Sequence, residues 1–245
     1  MELNHENYHS LEANREYMSA SQFKAFRRCE AKALAEVKGL YTPPKTTALL
    51  IGSYIDCHFS GLPWEGPNIY KKDGTLKAEY SGAEAIIRRV ESDDFCKALI
   101  DSSQKQVIKT GSIGGVAYKA MFDFLLPSGI VDLKIMRDLD SCFDPIQGIY
   151  LPWWRYYGYD YQGAIYQAIE GNNQPFGLLV ATKQPEPDLA ALRIADQTLR
   201  SCLVEVEAMS ERYWAIKQGL IAPEHCGKCD YCRGIKKLEG WQEVC

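Results

Sequence analysis

Three consecutive stretches in the middle of the chain alternate apolar and polar residues with a period of two. They read KQVIKTG, GVAYKAMFDFLL and GIVDLKI, and glycine- and proline-bearing turns separate them. Successive side chains of a strand point to opposite faces of a sheet, so this period indicates strands with one apolar face. The sequence therefore predicts a three-stranded antiparallel meander.

The segments on either side of the meander carry apolar residues at helical spacing. Ser19, with Gln22 three residues later, is a predicted N-cap for the first helix, which ends near Gly39. Further helices are predicted from the proline turn to about residue 60, near 78–100, over 152–170 and over 188–220, and FGLLVATKQ is a fourth strand. This order predicts an α/β (α+β) fold, in which helices flank a mixed sheet that contains the meander.

The length of 245 residues suits one domain with a small appendage. We therefore predict a single domain over 1–245, divided into N-terminal helices (19–60), a central core (103–184), a C-terminal helix (188–220) and a cysteine-rich tail (225–245). The N-terminus lacks the pattern of a signal peptide, and no apolar run reaches the roughly 20 residues of a membrane helix. A cytoplasmic protein is expected. The net charge of −4 confines any nucleic-acid site to a local patch.

The hairpin between the second and third strands brings two acids together. Pro127 and Ser128 occupy the turn, and matching the apolar faces of the strands places Asp123 opposite Asp132. Two carboxylates about 5 Å apart repel by roughly 3 kcal/mol at an effective dielectric constant near 20. A divalent cation between them would offset this cost, and Lys134 would face whatever the cation holds. The alternative is a solvated strand face with an Asp–Lys ion pair.

Two helices add polar residues in unusual places. Asp56 lies in the middle of the apolar helical stretch LLIGSYIDCHFSG. Gln162 and Tyr166 are four residues apart and so share one face of the predicted 152–170 helix. Taken singly, each of these residues would be interpreted as an ordinary surface or core residue.

As an ordered set, these residues resemble the PD-(D/E)xK nuclease superfamily, in particular its exodeoxyribonuclease VIII (RecE)-like and RecB-like branch. That branch has a G-x-x-x-[HD] helix, a strand ending in Asp, a [DE]-x-K strand and a Q-x-x-x-Y helix. The corresponding residues here are Gly52 and Asp56, Asp123, Asp132 with Lys134, and Gln162 with Tyr166. The pattern departs from the family at three positions: Asp56 replaces the frequent His, with His58 as a lesser candidate, Asp132 replaces the commoner Glu, and Ile135 replaces a frequent Thr or Ser.

The resemblance implies a restriction-endonuclease-like core and a metal-dependent DNA exonuclease. Mg²⁺ or Mn²⁺ would be held by Asp56, Asp123, Asp132 and the carbonyl of Leu133. Lys134 would position or help deprotonate the attacking water, with Gln162 and Tyr166 orienting the site. DNA is the expected partner, with a strand-annealing recombination protein of phage or prophage type as a second one. Phosphate contacts are expected from Lys24, Arg27, Arg28 and Lys119, although solvated helix charges explain these residues as well.

The nine cysteines divide into two groups. Cys57, Cys96, Cys142 and Cys202 lie in apolar or helical surroundings and are expected to be small core residues. Cys226, Cys229 and Cys232 form a C-x2-C-x2-C run, whose close thiolates indicate a metal site. The resemblance points to Cys29 as the fourth ligand and favours a [4Fe–4S] cluster, while structural Zn²⁺ is the main alternative. His225 and Cys245 are other candidates for the fourth position.

Two other functions remain open on the sequence. One is a non-catalytic nucleic-acid-binding module, in which the cysteines form a structural finger and the hairpin acids are incidental. The other is a nuclease of different action, such as an endonuclease or a single-strand-specific enzyme, because the same core serves all of these.

Overall fold

The computed structural model describes residues 1–144, 147–171, 173–238 and 240–241. Its helices are α1 (Leu11–Glu16), α2 (Ala20–Arg28), α3 (Glu30–Val37), α4 (Thr47–Ser60), α5 (Gly82–Glu91), α6 (Asp94–Asp101), α7 (Trp153–Tyr156), α8 (Tyr159–Glu170), α9 (Asp196–Lys217) and α10 (Asp230–Ile235). Its strands are β1 (Gln104–Ile113), β2 (Val116–Leu126), β3 (Gly129–Met136), β4 (Cys142–Asp144), β5 (Ile149–Leu151), β6 (Phe176–Thr182) and β7 (Leu189–Arg193). No helix in the described ranges is long and apolar enough to cross a membrane.

The main sheet has five strands in the order β1-β2-β3-β6-β7. The first three form the predicted antiparallel meander, and β6 lies parallel to β3 before β7 returns antiparallel. A parallel pair needs a long crossover connection, and here α8 lies within that connection. The predicted fold class, a mixed sheet flanked by helices, is confirmed.

The β2–β3 hairpin has the predicted register. Phe124 pairs with Val131 and Leu126 with Gly129, which leaves a two-residue turn at Pro127 and Ser128. The ladder ends at the Phe124–Val131 pair. One residue beyond it, the Asp123 carboxylate accepts a hydrogen bond from the backbone N–H of Leu133 at 2.9 Å. The predicted pairing of Asp123 with Asp132 across the ladder is therefore not formed. The Asp123 side chain instead takes the place of a backbone carbonyl as the hydrogen-bond acceptor.

Helices cover both faces of the sheet. On one face α2, α8 and α9 pack against the strands around a core that includes Phe23, Phe122 and Tyr213. On the other face α4, α5 and α6 pack around a second core that includes Ile55, Phe124 and Leu133. Burial of these apolar side chains on both faces is the main force that holds the layers together.

Two predicted helices are interrupted. The helix expected from Ser19 to Gly39 breaks at Cys29, whose backbone is extended (φ −165°, ψ 107°) between α2 and α3. The helix expected over 152–170 breaks before Gly158, which has φ +67°. In both helices the spacing of apolar residues continues across the break, so the helical period does not reveal it. The Ser19 hydroxyl does cap α2, accepting a hydrogen bond from the Gln22 N–H at 3.2 Å.

The predicted 188–220 helix is also wrong at its start. Residues Leu189–Arg193 form strand β7, and α9 begins only at Asp196. The stretch DLAALRI is rich in helix-forming residues, but pairing with β6 overrides this local preference. Helix α1 and the small β4–β5 hairpin were not predicted.

Gly163 should tolerate no larger residue, because α8 packs closely on the sheet at this point. A Cβ atom there would lie 2.4 Å from Phe176 and 2.9 Å from Leu199. We expect Gly163→Ala to lower the free energy of unfolding by about 1–3 kcal/mol through overpacking, as measured by urea denaturation. The matched control is Gly82→Ala in α5, where nothing lies within 4 Å of the added carbon. Equal stability of the two variants would contradict the close packing of α8.

Candidate active site and cysteine centre

A cleft of about 320 Å³ opens between α4 and the ends of the central strands. Helix α4 contributes Gly52 and Asp56, which are four residues apart and therefore share a face. The strands contribute Asp123 from β2 together with Leu133 and Lys134 from β3. The cleft is thus lined by four of the residues predicted to hold or assist a metal, namely Asp56, Asp123, Leu133 and Lys134.

Asp132 lies behind this cleft and is 1% exposed. Its Oδ2 forms an ion pair with the Lys134 ammonium and has no hydrogen-bond partner besides it. Its Oδ1 accepts a hydrogen bond from Gln162 Nε2 at 2.7 Å. The Gln162 Oε1 in turn accepts one from Lys24 Nζ at 3.0 Å. A chain of four polar side chains therefore runs from α2 through α8 to β3.

The carboxyl groups at the cleft raise one another's pKa. Burial and then the neighbouring Asp132 carboxylate raise the pKa of Asp56 to about 6, although Lys134 opposes the shift. Burial, Asp132 and Asp56 likewise raise the pKa of Asp123 well above its usual value. Burial lowers the pKa of Lys134, but Asp132, Asp123 and Tyr159 outweigh burial and raise it overall.

The residues present fit a hard divalent cation, which takes carboxylate and carbonyl oxygens as ligands. Carboxylates that raise each other's pKa beside an open cleft are stabilised by a cation placed among them. In the described part of the chain, the four cysteines are the only group of three or more His, Cys, Asp or Glu side chains close enough to share a metal ion, and their Sγ atoms all lie within 4.8 Å of one another. The acids of the cleft are therefore neighbours but do not converge as tightly as the thiols do.

Tyr166 and Tyr159 support the site from α8. The Tyr166 hydroxyl donates a hydrogen bond to the Met121 carbonyl at 3.1 Å, two residues before Asp123, and its ring contacts Phe122. The Tyr159 ring lies under two ammonium groups, with Lys24 Nζ at 4.9 Å and Lys134 Nζ at 5.2 Å from its centroid. Both tyrosines therefore pack against elements that carry the cleft residues.

His58 does not face the cleft. Its Nε2 pairs with Glu91 Oε1 at 2.8 Å, and both side chains lie in a separate surface depression. A histidine two residues after Asp56 on a helix points roughly to the opposite side. Of the two candidates on α4, only Asp56 lines the cleft.

The four residues predicted to contact phosphate have different surroundings. Lys119 is 1% exposed, and its ammonium donates hydrogen bonds to the Tyr8 carbonyl and to Asn14 Oδ1, so the predicted contact with DNA is not available to it. Arg27 is exposed and pairs with Glu205 at 2.8 Å, while Arg28 is exposed near the Tyr156 carbonyl. Lys24 is half-buried against α8.

Three residues near the site were not predicted, namely Ser53 and Lys183, which line the cleft, and Tyr159. Lys183 follows β6 directly, and its ammonium donates a hydrogen bond to the Ala48 carbonyl on α4. The carboxyl ends of parallel strands lie at the same edge of a sheet, so a residue directly after β6 lies near the end of β3. This signal was present in FGLLVATKQ. Tyr159 lies three residues before Gln162, and its aromatic contact with lysines gives no sequence signal.

The second site joins the two ends of the chain. The Sγ atoms of Cys29 and Cys232 are 3.6 Å apart, those of Cys226 and Cys232 3.9 Å, and those of Cys229 and Cys29 3.8 Å. All four Sγ atoms lie within 4.8 Å of one another. His225 Nδ1 is 3.7 Å from Cys232 Sγ, and Cys245 lies outside the described residues.

The thiols of the tail receive backbone hydrogen bonds. The N–H of Cys229 donates to Cys226 Sγ at 3.3 Å, and that of Cys232 donates to Cys229 Sγ at 3.4 Å. Burial opposes ionisation of Cys226, but the N–H groups of Lys228 and Cys229 outweigh it and lower the pKa of this thiol to about 6. At Cys226 a thiolate, which is the form that binds metal, is thereby favoured, whereas burial raises the pKa of Cys29, Cys229 and Cys232.

An ion-pair network around the buried Glu30 holds the tail against α3 and α9. Arg212 makes a bidentate contact with Glu30 at 2.7 and 2.9 Å and reaches Glu224 at 2.9 Å. The N–H of Glu224 also donates to Glu30, and the Glu224 carbonyl accepts from the N–H of Ala31. The segment before Cys226 is therefore fixed beside Cys29.

The fold and the cleft define a class of protein. A meander that carries an acid on one strand and Asp-x-Lys on the next, with a Gln-x-x-x-Tyr helix against it, is the arrangement of the PD-(D/E)xK superfamily. The chain belongs to the family described as "PDDEXK-like domain of unknown function (DUF3799)", whose model matches residues 19–235.

Solved structures include a similar protein from Eubacterium rectale, described as a "putative exonuclease". It is 39% identical, with a TM-score of 0.91 over 99% of this chain and 97% of that chain. A second structure, SSO0001, is 15% identical with a TM-score of 0.38 over 91% of this chain and 90% of that chain, which is too low to support an argument. No curated protein matches the sequence.

The cysteine centre should stabilise the fold through metal binding. We expect Cys232→Ser to abolish stoichiometric metal binding and to lower the thermal midpoint by at least about 5 °C, because a metal that binds only the folded chain stabilises it. Elemental analysis and thermal unfolding of the purified protein measure both effects. Cys96→Ser is the matched control, since Cys96 is equally buried but lies in α6, outside the cluster. Full metal content in the Cys232 variant would contradict the prediction.

Proposed function

We propose that this protein is a metal-dependent DNA exonuclease. The observation that carries the proposal is the cleft itself, in which Asp56, Asp123 and Lys134 line one opening and Asp132 pairs with Lys134 behind it. Membership of a PDDEXK-like family supports a nuclease. The Eubacterium rectale protein, described as a "putative exonuclease" and similar over nearly its whole length, supports action at DNA ends.

Each residue has a distinct part in the proposed reaction. Asp56, Asp123, Asp132 and the Leu133 carbonyl would hold Mg²⁺ or Mn²⁺. Such an ion, when bound, lowers the pKa of water and offsets charge on the phosphate. Lys134 would position the water and stabilise the charge that develops on the phosphate. Gln162 holds Asp132, and Tyr166 holds β2, so that the acids keep their orientation.

The biological setting is part of the same proposal. An enzyme that degrades linear DNA from its ends would expose single strands for a strand-annealing recombination protein, as in phage or prophage recombination. We place this activity in the cytoplasm. Exposed Arg27 and Arg28 on α2 are the proposed phosphate contacts among the residues identified from the sequence.

For the cysteine centre we propose a single Zn²⁺ ion. Four sulfurs at about 2.3 Å from one tetrahedral ion lie about 3.8 Å from one another. Three of the Sγ separations are 3.6–3.9 Å, which agrees with this geometry, and all four Sγ atoms lie within 4.8 Å of one another. A [4Fe–4S] cluster, which the family resemblance favoured, has to fit its own iron and sulfur atoms between the thiolates and needs them further apart. The distances therefore support zinc over the cluster.

The nuclease proposal is tested on end-labelled linear and closed circular DNA with Mg²⁺. We expect the wild type to degrade linear DNA from its ends and to leave circles intact. Lys134→Ala and Asp132→Asn should each lower the rate by at least about 100-fold, because each removes a group that acts on the transition state or its metal.

The control for this test is Lys109→Ala. Lys109 is also a strand lysine paired with an acid, Glu170 at 2.7 Å, but it does not line the cleft. This variant should keep wild-type activity, and all variants are first compared by thermal unfolding. Undiminished cleavage by the Lys134 variant would refute the assigned site. Cleavage of circles would indicate an endonuclease, and DNA binding without any cleavage would indicate the non-catalytic module.

Metal analysis tests the zinc proposal. Protein purified without added metal should contain about one zinc per chain and should lack the visible absorption of an iron–sulfur cluster. Anaerobic purification in parallel guards against loss of an oxygen-sensitive cluster. About four iron and four sulfide per chain under those conditions would refute the zinc assignment and support [4Fe–4S].

A further inference from the structure

Lys24 has surroundings that a surface DNA contact does not require. It lies on α2, and its aliphatic stem packs on the backbone of Gly158, where an added Cβ would be 3.0 Å from Lys24 Cδ. Its ammonium lies over the Tyr159 ring and donates a hydrogen bond to Gln162 Oε1 at 3.0 Å. The interruption of the helix at Gly158 therefore makes room for a lysine that reaches the side of α8 facing Asp132.

Lys24 and Asp132 impose the same orientation on the Gln162 amide from its two ends, since the carboxylate can only accept a hydrogen bond. A glutamine amide has an accepting oxygen at one end and a donating NH₂ at the other, whereas a lysine ammonium can only donate. With Lys24 on one side, the oxygen must face α2 and the NH₂ must face Asp132. The opposite orientation would place the amide oxygen against the Asp132 carboxylate and the NH₂ against the ammonium, so both contacts would be repulsive.

We propose that Lys24 is a positioning residue, which fixes the amide orientation of Gln162 and through it the carboxylate of Asp132. The inference rests on the proposed function, because Asp132 matters as a metal ligand of the nuclease. It assigns Lys24 a different part from the phosphate contact expected from the sequence. Lys24 touches neither the metal nor the DNA in this assignment.

A double-mutant cycle of Lys24→Met and Gln162→Leu tests the inference. We expect each single variant to weaken Mn²⁺ affinity and to lower kcat by roughly 10–100-fold, the range found for residues that orient metal ligands, with KM for linear DNA within about threefold of wild type. The double variant should be no worse than Gln162→Leu alone, because Lys24 acts only through Gln162. Titration calorimetry measures Mn²⁺ affinity independently of cleavage.

Two further variants control the cycle. Lys32→Met removes a lysine over the Tyr41 ring on the adjacent helix α3, away from the cleft, and should leave both Mn²⁺ affinity and kcat unchanged. Lys24→Arg keeps a side chain that only donates and should retain most of both. If Lys24→Met unfolds at the assay temperature, Lys24→Gln takes its place in the cycle, since a glutamine can also accept and so no longer imposes one orientation.

The other outcomes overturn the inference. Lys24 would be a phosphate contact if the effects of the two substitutions multiply in the double variant. In that case Lys24→Met would also raise KM and make DNA affinity less dependent on salt. Unchanged Mn²⁺ affinity and kcat in Lys24→Met would also refute it. If the wild type binds Mn²⁺ but does not cleave DNA, the proposed function fails, while the cycle of Mn²⁺ affinities still decides whether Lys24 positions Asp132.

Discussion

The burial of one carboxylate, that of Asp132, is the constraint on which the arrangement of the site depends. An ion removed from water is destabilised by several kcal/mol unless charges and hydrogen bonds compensate it. Lys134 supplies the charge from the same strand, and Gln162 supplies a hydrogen bond from α8. The hydrogen bond from Gln162 requires α8 to cross the sheet directly behind β3. The crossover between the parallel strands β3 and β6 delivers α8 to this position.

Much of this site could be predicted from the sequence because strands follow simple rules. The period of two and a two-residue turn fixed the Phe124–Val131 pair, and the pair brought Asp123 near Asp132. What these rules omit is local competition for hydrogen bonds. The Asp123 side chain takes the Leu133 N–H, so the two strands separate where an ideal ladder would have continued. A carboxylate that replaces a backbone acceptor leaves no trace in the hydrophobic pattern.

The residues that were misjudged are those whose long side chains reach distant parts of the chain. Lys119 was expected to contact phosphate or to be a solvated charge, but the N-terminal segment covers it and accepts its hydrogen bonds. Lys24 looked like a solvated helix charge, but the left-handed Gly158 lets α2 approach α8. Helical spacing could not predict either contact, because both depend on which segments meet in three dimensions. The breaks at Cys29 and Gly158 were missed for the same reason.

Helix α2 connects the cleft with the cysteine centre. Met18, directly before the N-cap Ser19, exchanges backbone hydrogen bonds with β2, and Lys24 in the middle of the helix holds Gln162. The residue that follows it, Cys29, leaves the helix in an extended conformation and joins the thiols of the C-terminal tail. A helix fixed at both ends has little freedom to shift along α8. The cysteine centre, although remote in sequence from Asp132, therefore restrains the same helix that orients the amide holding this carboxylate.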